Sequence, residues 1–203
     1  MTADKQVRDE LGRPADEVAP ALLGWTLSST GSEGTVTVEL TEVEAYLGAD
    51  DPASHAYRGR TARNEVMFGV AGHLYTYRSY GIHWCCNVVT GTDGIASAVL
   101  LRAGRVIAGA ALARERRGRR VADHALARGP GCLAQALGLT GDDYGADLTG
   151  NGRVRLRPYK HVESARLASG HRVGVRLAAD VALRFWVDGE PSVSAYRRSP
   201  RAP

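Results

Sequence analysis

Residues 35–46 constrain this chain more than any other segment. Polar and apolar side chains alternate along them at the period of a β-strand, with Val36, Val38 and Leu40 on one face. The same parity carries Glu42, Glu44 and Tyr46 inward, unless a bulge intervenes. Two carboxylates on the buried face of a strand are costly unless they are paired or line a cavity. The alternative is that the strand leaves the core after Leu40 and returns Glu42 to water. Glu44, between Val43 and the Ala45-Tyr46 pair, reads as a pocket carboxylate. Desolvation there raises the proton affinity of a carboxylate and suits it to act as a general base.

The rest of the chain predicts a small mixed domain around this strand. Residues 25–27, 73–77, 82–89, 98–103, 153–156, 171–175 and 183–187 read as strands, and Ser79, Tyr80 and Gly81 join 73–77 to 82–89 like a hairpin. Helical signals cover 19–23, stopped by Gly24, and 107–117. A further helix follows Gly129-Pro130, where Leu133, Ala134 and Leu137 recur before Gly138. Strands outnumber helices and are not regularly separated by them, which predicts an α+β fold with a largely antiparallel sheet. Residues 1–13 read as a disordered lead-in, 14–196 as a single domain, and 197–203 as a frayed tail. Residues 48–72 are rich in Gly, Asp, Arg and Ala without periodicity, and a stretch of that length is usually functional or disordered.

Composition narrows the function. The 203 residues carry a net charge of +4, and only Lys5 and Lys160 among the basic residues are lysine. Arginine binds phosphate in bidentate fashion and stacks on bases, which allows a polyanionic partner, although a coding sequence rich in G and C would also favour it. No apolar run approaches the ~20 residues that span a bilayer, and residues 1–10 lack the apolar core of an export signal, so no membrane association is expected. Cys85, Cys86 and Cys132 cannot build a disulfide framework, which suits a reducing, cytoplasmic setting.

Neither a metal nor a cofactor is expected. His55, His73, His83, Cys85, Cys86 and Glu44 lack metal-site spacing, and adjacent strand cysteines point to opposite faces. The cysteines also sit mid-strand, with no helix N-terminus to activate them as nucleophiles. Tyr75, Tyr77 and Tyr80 crowd one short segment, with Tyr46 and Tyr57 earlier. Such tyrosines either line a packed strand pair or stack on nucleobases. Tyr80, at the hairpin tip before Gly81, projects as a wedge inserted into a base stack would.

A series of motifs then runs in order: Glu44-Ala45-Tyr46 with Gly48, Ser54-His55-Ala56, Gly59, Thr61, Arg63-Asn64, Met67-Phe68-Gly69, Tyr75-Thr76-Tyr77, Tyr80-Gly81 and Asn87-Val88-Val89. It continues through Val99-Leu100-Leu101-Arg102-Ala103, Gly129-Pro130 with Leu133 and Gln135-Ala136-Leu137, Arg172-Val173-Gly174-Val175 and Leu183-Arg184-Phe185. This series resembles the alkyladenine, or 3-methyladenine, DNA glycosylase family over about residues 19–194. The resemblance implies a single mixed domain with a curved antiparallel sheet flanked by helices, acting as a monomer without metal or cofactor. Its implied substrate is double-stranded DNA containing damaged purines, in a prokaryotic cytoplasm at the nucleoid. The implied enzyme is monofunctional, a type II glycosylase of base excision repair. It flips alkylated or deaminated purines out of the duplex and hydrolyses the N-glycosidic bond, leaving an abasic site.

Residue by residue, the resemblance implies Glu44 as the general base that activates water. Arg102 and the backbone carbonyl of Val173 would help hold that water. Tyr46, His55 and Tyr77 would be the stacking walls, Asn87 would exclude guanine by clashing with its exocyclic amino group, and Tyr80 would be the wedge. The chain departs from the family pattern at Cys132, where Lys is usual, at Ile82, where Met is common, and at Gly104-Arg105, which replace a Glu-Pro pair. Two other readings compete. A catalytically silent lesion-binding module has no use for a buried base, and a hydrolase of free nucleosides has none for a wedge or for the arginines of 114–120.

Overall fold

The computed structural model describes residues 3–203. Among the described residues, nine strands form one sheet, and all their pairings are antiparallel. They are β1 (Thr26–Gly31), β2 (Gly34–Tyr46), β3 (Leu74–Ser79), β4 (His83–Val89), β5 (Ala98–Ala108), β6 (Ala127–Arg128), β7 (Val154–Arg157), β8 (Leu167–Gly170) and β9 (Arg184–Val187). Four α-helices accompany them: α1 (Ala3–Leu11), α2 (Ala15–Ala21), α3 (Ala110–Arg117) and α4 (Pro130–Leu137). The α+β, largely antiparallel architecture read from the sequence is the one observed.

The sheet runs β3-β4-β5-β2-β1-β7, with β6 beside β5 and the β8–β9 pair joined to β2. Thirteen residues long, β2 is the axis of the molecule. One of its edges pairs with β5 between Thr37 and Tyr46; the other pairs with β1 along its first half and with β9 at Glu42–Glu44. The main core lies on one face, where Val36, Val38, Leu40, Val43 and Ala45 of β2 meet Val99 and Leu101 of β5 and Leu133 and Leu137 of α4.

Several boundaries differ from expectation for identifiable reasons. The expected helix over 107–117 begins only at Ala110, because Val106 and Ala108 still pair with Val38 and Thr37. Gly109 then turns the chain with φ +73°, where a Cβ would lie 2.1 Å from the Thr35 carbonyl. The strand expected over 171–175 is absent. The edge of β2 at Ala45 is capped instead by the Leu183 carbonyl, which accepts from the Ala45 N–H, and by the Arg172 guanidinium, which donates to the Ala45 carbonyl. The helix expected over 19–23 sits earlier, as α2. The short strands β6 and β8 pair only two and four residues, too few for periodicity to reveal.

Of the expected disordered lead-in, residues 1 and 2 lie outside the described residues, and Ala3–Leu11 forms a helix. Val7 and Leu11 are buried in the main core, and Arg8 donates to the Ala71 carbonyl and pairs with Asp147. Two apolar positions in a charged segment are too sparse a signal to announce a docked helix. Truncating Leu11 to Ala is therefore expected to cost at least about 2 kcal/mol, read as a lower denaturant midpoint. An unchanged midpoint would mean that α1 does not dock. Residues 197–203 hold neither helix nor strand, yet the Arg197 carbonyl accepts from the Gly174 N–H and Arg198 pairs with Asp180. Among the described residues, no helix is long and apolar enough to cross a membrane.

Candidate active site

The site begins with a pair of irregularities where β2 meets β5. Leu40 lies opposite Gly104, Glu42 opposite Ala103, and Val43 opposite Leu101. Thr41 on β2 and Arg102 on β5 are thus each skipped by the register. Gly104 permits this close approach, since a Cβ there would lie 2.3 Å from the Val38 side chain. Before the irregularity Val36, Val38 and Leu40 face the main core; beyond it Val43 and Ala45 do. Glu42, Glu44 and Tyr46 are turned to the opposite face of the sheet, with Leu100 and Arg102 of β5 on that face too. The bulge that the alternation left open is present. Glu42 and Glu44 are nevertheless wholly buried, so the strand does not leave the interior after Leu40.

Each carboxylate is satisfied in its own way. Glu42 Oε1 accepts from Arg102 Nε and Arg184 Nε, both at 2.8 Å, and from Ser194 Oγ at 2.9 Å. Its Oε2 accepts from the Ser194 N–H at 2.7 Å. Burial pushes the Glu42 carboxyl up, but the Arg102 and Arg184 guanidinium groups outweigh it and hold the carboxyl below the ordinary range. Glu44 Oε1 accepts from the Val173 N–H at 2.7 Å and faces Arg102 Nη1 at 3.3 Å, while Oε2 accepts from the Tyr46 hydroxyl at 2.9 Å. A carboxylate offers about four lone-pair sites, so with three in use Glu44 keeps room for one water. Arg102 loses affinity for its proton through burial and regains more from Glu44 and Glu42, so it stays charged.

A cavity of about 580 Å³ opens beside Glu44, within the size range of small-molecule sites. Tyr46, Arg102 and Val173, the three groups bonded to Glu44, all line it. Glu44 itself lies one layer behind them. His55 and Tyr77 meet edge-to-face at 4.5 Å, and Tyr75 stacks on Tyr77 at 5.6 Å with 27° between the planes. The Tyr75 hydroxyl lies 2.8 Å from His55 Nδ1. Asn87, from β4, donates its amide nitrogen to the Tyr75 carbonyl at 3.1 Å and so leaves its amide oxygen free to meet a ligand. Burial, reinforced by neighbouring charge, keeps Tyr46 and Tyr77 protonated well above the ordinary phenol range. Desolvation and the charge of Arg63 pull His55 below the ordinary imidazole value, so its ring is neutral near pH 7.

The aperiodic stretch 48–72 is ordered by side chains rather than by a backbone ladder. Asn64 donates to the His55 and Gly59 carbonyls and accepts from the Thr61 N–H, which fixes the loop that presents His55. Asp51 accepts from the Ala53 N–H and holds the buried Arg172. The Arg172 guanidinium in turn lies 4.8 Å from the centre of the Tyr46 ring, on which it stacks. Sequence reasoning assigned no role to Asn64, Asp51, Arg172, Arg184 or Ser194. The signals available were the places of Asn64, Arg172 and Arg184 in the motif series, Arg172 beside Val173.

Tyr80 sits on the rim of the cavity, 90% exposed. Tyr80 (φ 51°) and Gly81 (φ 69°) hold the two central positions of the turn closed by the Ile82 N–H on the Ser79 carbonyl, as a type I′ turn requires. A bulky residue at positive φ is strained, and strain of this kind collects at functional sites. Arg63, Arg78 and Arg176 line the same opening. Of the arginines of 114–120, Arg119 and Arg120 are exposed, and the other three make contacts within the fold. Arg114 pairs with Asp123, Arg116 pairs with Glu33, and Arg117 reaches Leu126, Gln135 and Cys132, which ties α3 to α4.

Cys85 and Cys86 are buried, and that burial raises both thiols, which removes them as nucleophiles. Among the described residues, no three His, Cys, Asp or Glu side chains gather as a metal site would require.

Residues 9–191 match the family model described as methylpurine-DNA glycosylase (MPG). A protein of Nocardia farcinica (strain IFM 10152) is 52% identical over 201 residues, covering 96% of this chain and 93% of its own. Another, of Mycobacterium bovis (strain BCG / Pasteur 1173P2), is 53% identical over 196 residues, covering 93% of each. A third, of Rhodococcus jostii (strain RHA1), is 53% identical over 182 residues, covering 87% of this chain and 80% of its own. All three carry the name "Putative 3-methyladenine DNA glycosylase".

Proposed function

The chain belongs to the methylpurine-DNA glycosylase family, and from that premise we propose that it flips alkylated or deaminated purines out of duplex DNA and hydrolyses their glycosidic bond with Glu44 as general base. It is a DNA glycosylase for alkylated bases; the wider substrate range and the mechanism are our reading. One observation carries it: a wholly buried carboxylate whose three bonding partners all line a cavity rimmed by an exposed tyrosine.

A stacked base hides its sugar carbon, so the nucleotide must leave the helix at a cost of a few kcal/mol. Tyr80, held outward by its turn, fills the gap. The extruded purine enters among Tyr46, His55 and Tyr77, where each stacked base recovers ~1–3 kcal/mol. Electron-rich phenol faces attract a cationic alkylpurine further, and a neutral His55 does not repel it. Asn87 lines the same cavity, where its side chain would collide with the exocyclic amino group of guanine.

Water attacks the anomeric carbon and gives its proton to Glu44. A cationic alkylpurine departs with the bonding electron pair as a neutral base, a neutral deaminated purine takes a proton from solvent water as it goes, and either leaves an abasic sugar in an unbroken strand. Arg102 and the Val173 carbonyl hold that water, while the Glu44 charge steadies the developing positive charge on the sugar.

Treating a methylated duplex with the protein and then with alkali tests the reading. Strand breaks at alkylated purines are expected. Binding without breaks would mean a silent lesion-binding module, and activity on free nucleosides that duplex DNA does not inhibit would mean a nucleoside hydrolase. Tyr80→Ser should weaken affinity for lesion-bearing duplex about tenfold, as loss of one stacking contact predicts, and leave thermal stability unchanged. Unaltered affinity would remove Tyr80 from its role.

A further inference from the structure

The family match ends at residue 191, yet the next few residues run directly beneath the site. Ser192 is buried, and its hydroxyl lies 2.9 Å from that of Thr41, the residue skipped in β2. The Val193 carbonyl accepts from Arg128 Nε at 2.8 Å. Ser194 makes four contacts at once. Its N–H and hydroxyl both donate to Glu42, its carbonyl accepts from Arg184 Nη2 at 2.7 Å, and its hydroxyl oxygen lies 3.3 Å from Arg102 Nη2. Farther on, the Arg197 carbonyl accepts from the Gly174 N–H at 2.9 Å, one residue beyond the Val173 N–H that holds Glu44.

We propose that residues 192–197 form a strap that sets the geometry of the reaction, with Ser194 as a positioning residue that acts through Arg102 and Glu42. This deepens the glycosylase reading and rests on it. Arg102 divides its donors, giving Nε to Glu42, Nη2 to Ser194 and Nη1 to Glu44. Three fixed partners on a planar guanidinium leave it no rotation. Without the Ser194 hydroxyl, Nη2 loses its acceptor and Glu42 loses a donor. Arg102 is then free to turn further onto Glu42 and withdraw Nη1 from Glu44. The main-chain N–H and carbonyl of Ser194 survive substitution, and the side chain is only half-buried, so the fold is retained.

The test uses the full chain with Ser194→Ala and Ser194→Thr. Single-turnover base release is measured on a duplex with one methylated purine, well below the melting temperature, together with affinity for a duplex holding an abasic-site analogue. Ser194→Ala is expected to lower the rate about tenfold at unchanged affinity, and Ser194→Thr, which restores a hydroxyl, to recover it. An unchanged rate in Ser194→Ala, a parallel loss of rate and affinity, or no recovery with Thr would each overturn the proposal. An inactive wild type would overturn the glycosylase reading and this inference with it, whereas an active wild type matched by Ser194→Ala overturns the inference alone.

Discussion

Glu44→Gln is expected to slow base release from alkylated duplex about a thousandfold while the protein stays folded and still binds an abasic-analogue duplex. The size is that of a general base removed from the transition state. Retention of the fold follows from the contacts. A glutamine oxygen in place of Oε1 still accepts from the Val173 N–H and from Arg102, and its amide nitrogen can donate to the Tyr46 hydroxyl, which is free to accept. The substitution thus removes charge and basicity and keeps shape. Loss confined to the rate, with affinity for the product analogue intact, identifies chemistry as the step affected. Full activity in this variant would remove Glu44 from the mechanism.

The neighbouring carboxylate gives a different result. Glu42→Ala is expected to destabilise the fold by about 3–5 kcal/mol, the cost of leaving buried charge unpaired. Its removal leaves the Arg184 guanidinium without its carboxylate and Arg102 with Glu44 alone, in a site with little access to water, and frees the Ser194 N–H as well. For a domain of this length the loss corresponds to a fall of roughly 10 °C in melting temperature.

The same pair makes stability depend on pH, with a defined sign. The folded carboxyl of Glu42 lies below its ordinary value of 4.5. Its contribution is therefore complete above that value and lost as pH falls through the lower folded one. Wild type should lose stability more steeply in acid than Glu42→Gln, as thermal melts across that range would record. Identical acid profiles would show that Glu42 is not an ion-pair partner. The two carboxylates, two positions apart on one face, thus separate by assay: Glu44→Gln impairs catalysis in a stable protein, and Glu42→Ala lowers the melting temperature.

Much of this was legible in the chain, for reasons that particular residues make plain. The alternation of Val36, Val38 and Leu40 located β2, and its continuation drew attention to Glu42, Glu44 and Tyr46. The outcome still depended on a bulge that alternation cannot foresee. Bulges are made by two strands together, and nothing in residues 35–46 encodes that Arg102 will be skipped in β5. The Tyr80-Gly81 dipeptide is a local signal, so its turn was readable. The site's supporting contacts were not. Arg172 meets Asp51 across 121 positions of sequence, and Ser194 meets Glu42 across 152. Contacts at such separations leave no period in a sequence. The charge run of 114–120 divides in a way its spelling does not show: Arg114 pairs with Asp123, Arg116 with Glu33 and Arg117 reaches Gln135 of α4, while Arg119 and Arg120 are exposed.

The most direct test is the structure of the Glu44→Gln variant bound to a duplex that holds one methylated purine. The account predicts the damaged purine lodged between Tyr77, His55 and Tyr46, with Tyr80 in the space it vacated. It also predicts a water between the substituted side-chain amide at position 44 and the anomeric carbon. A purine still stacked in the helix, or a sugar carbon lying toward Asn87 with no water path to position 44, would contradict it.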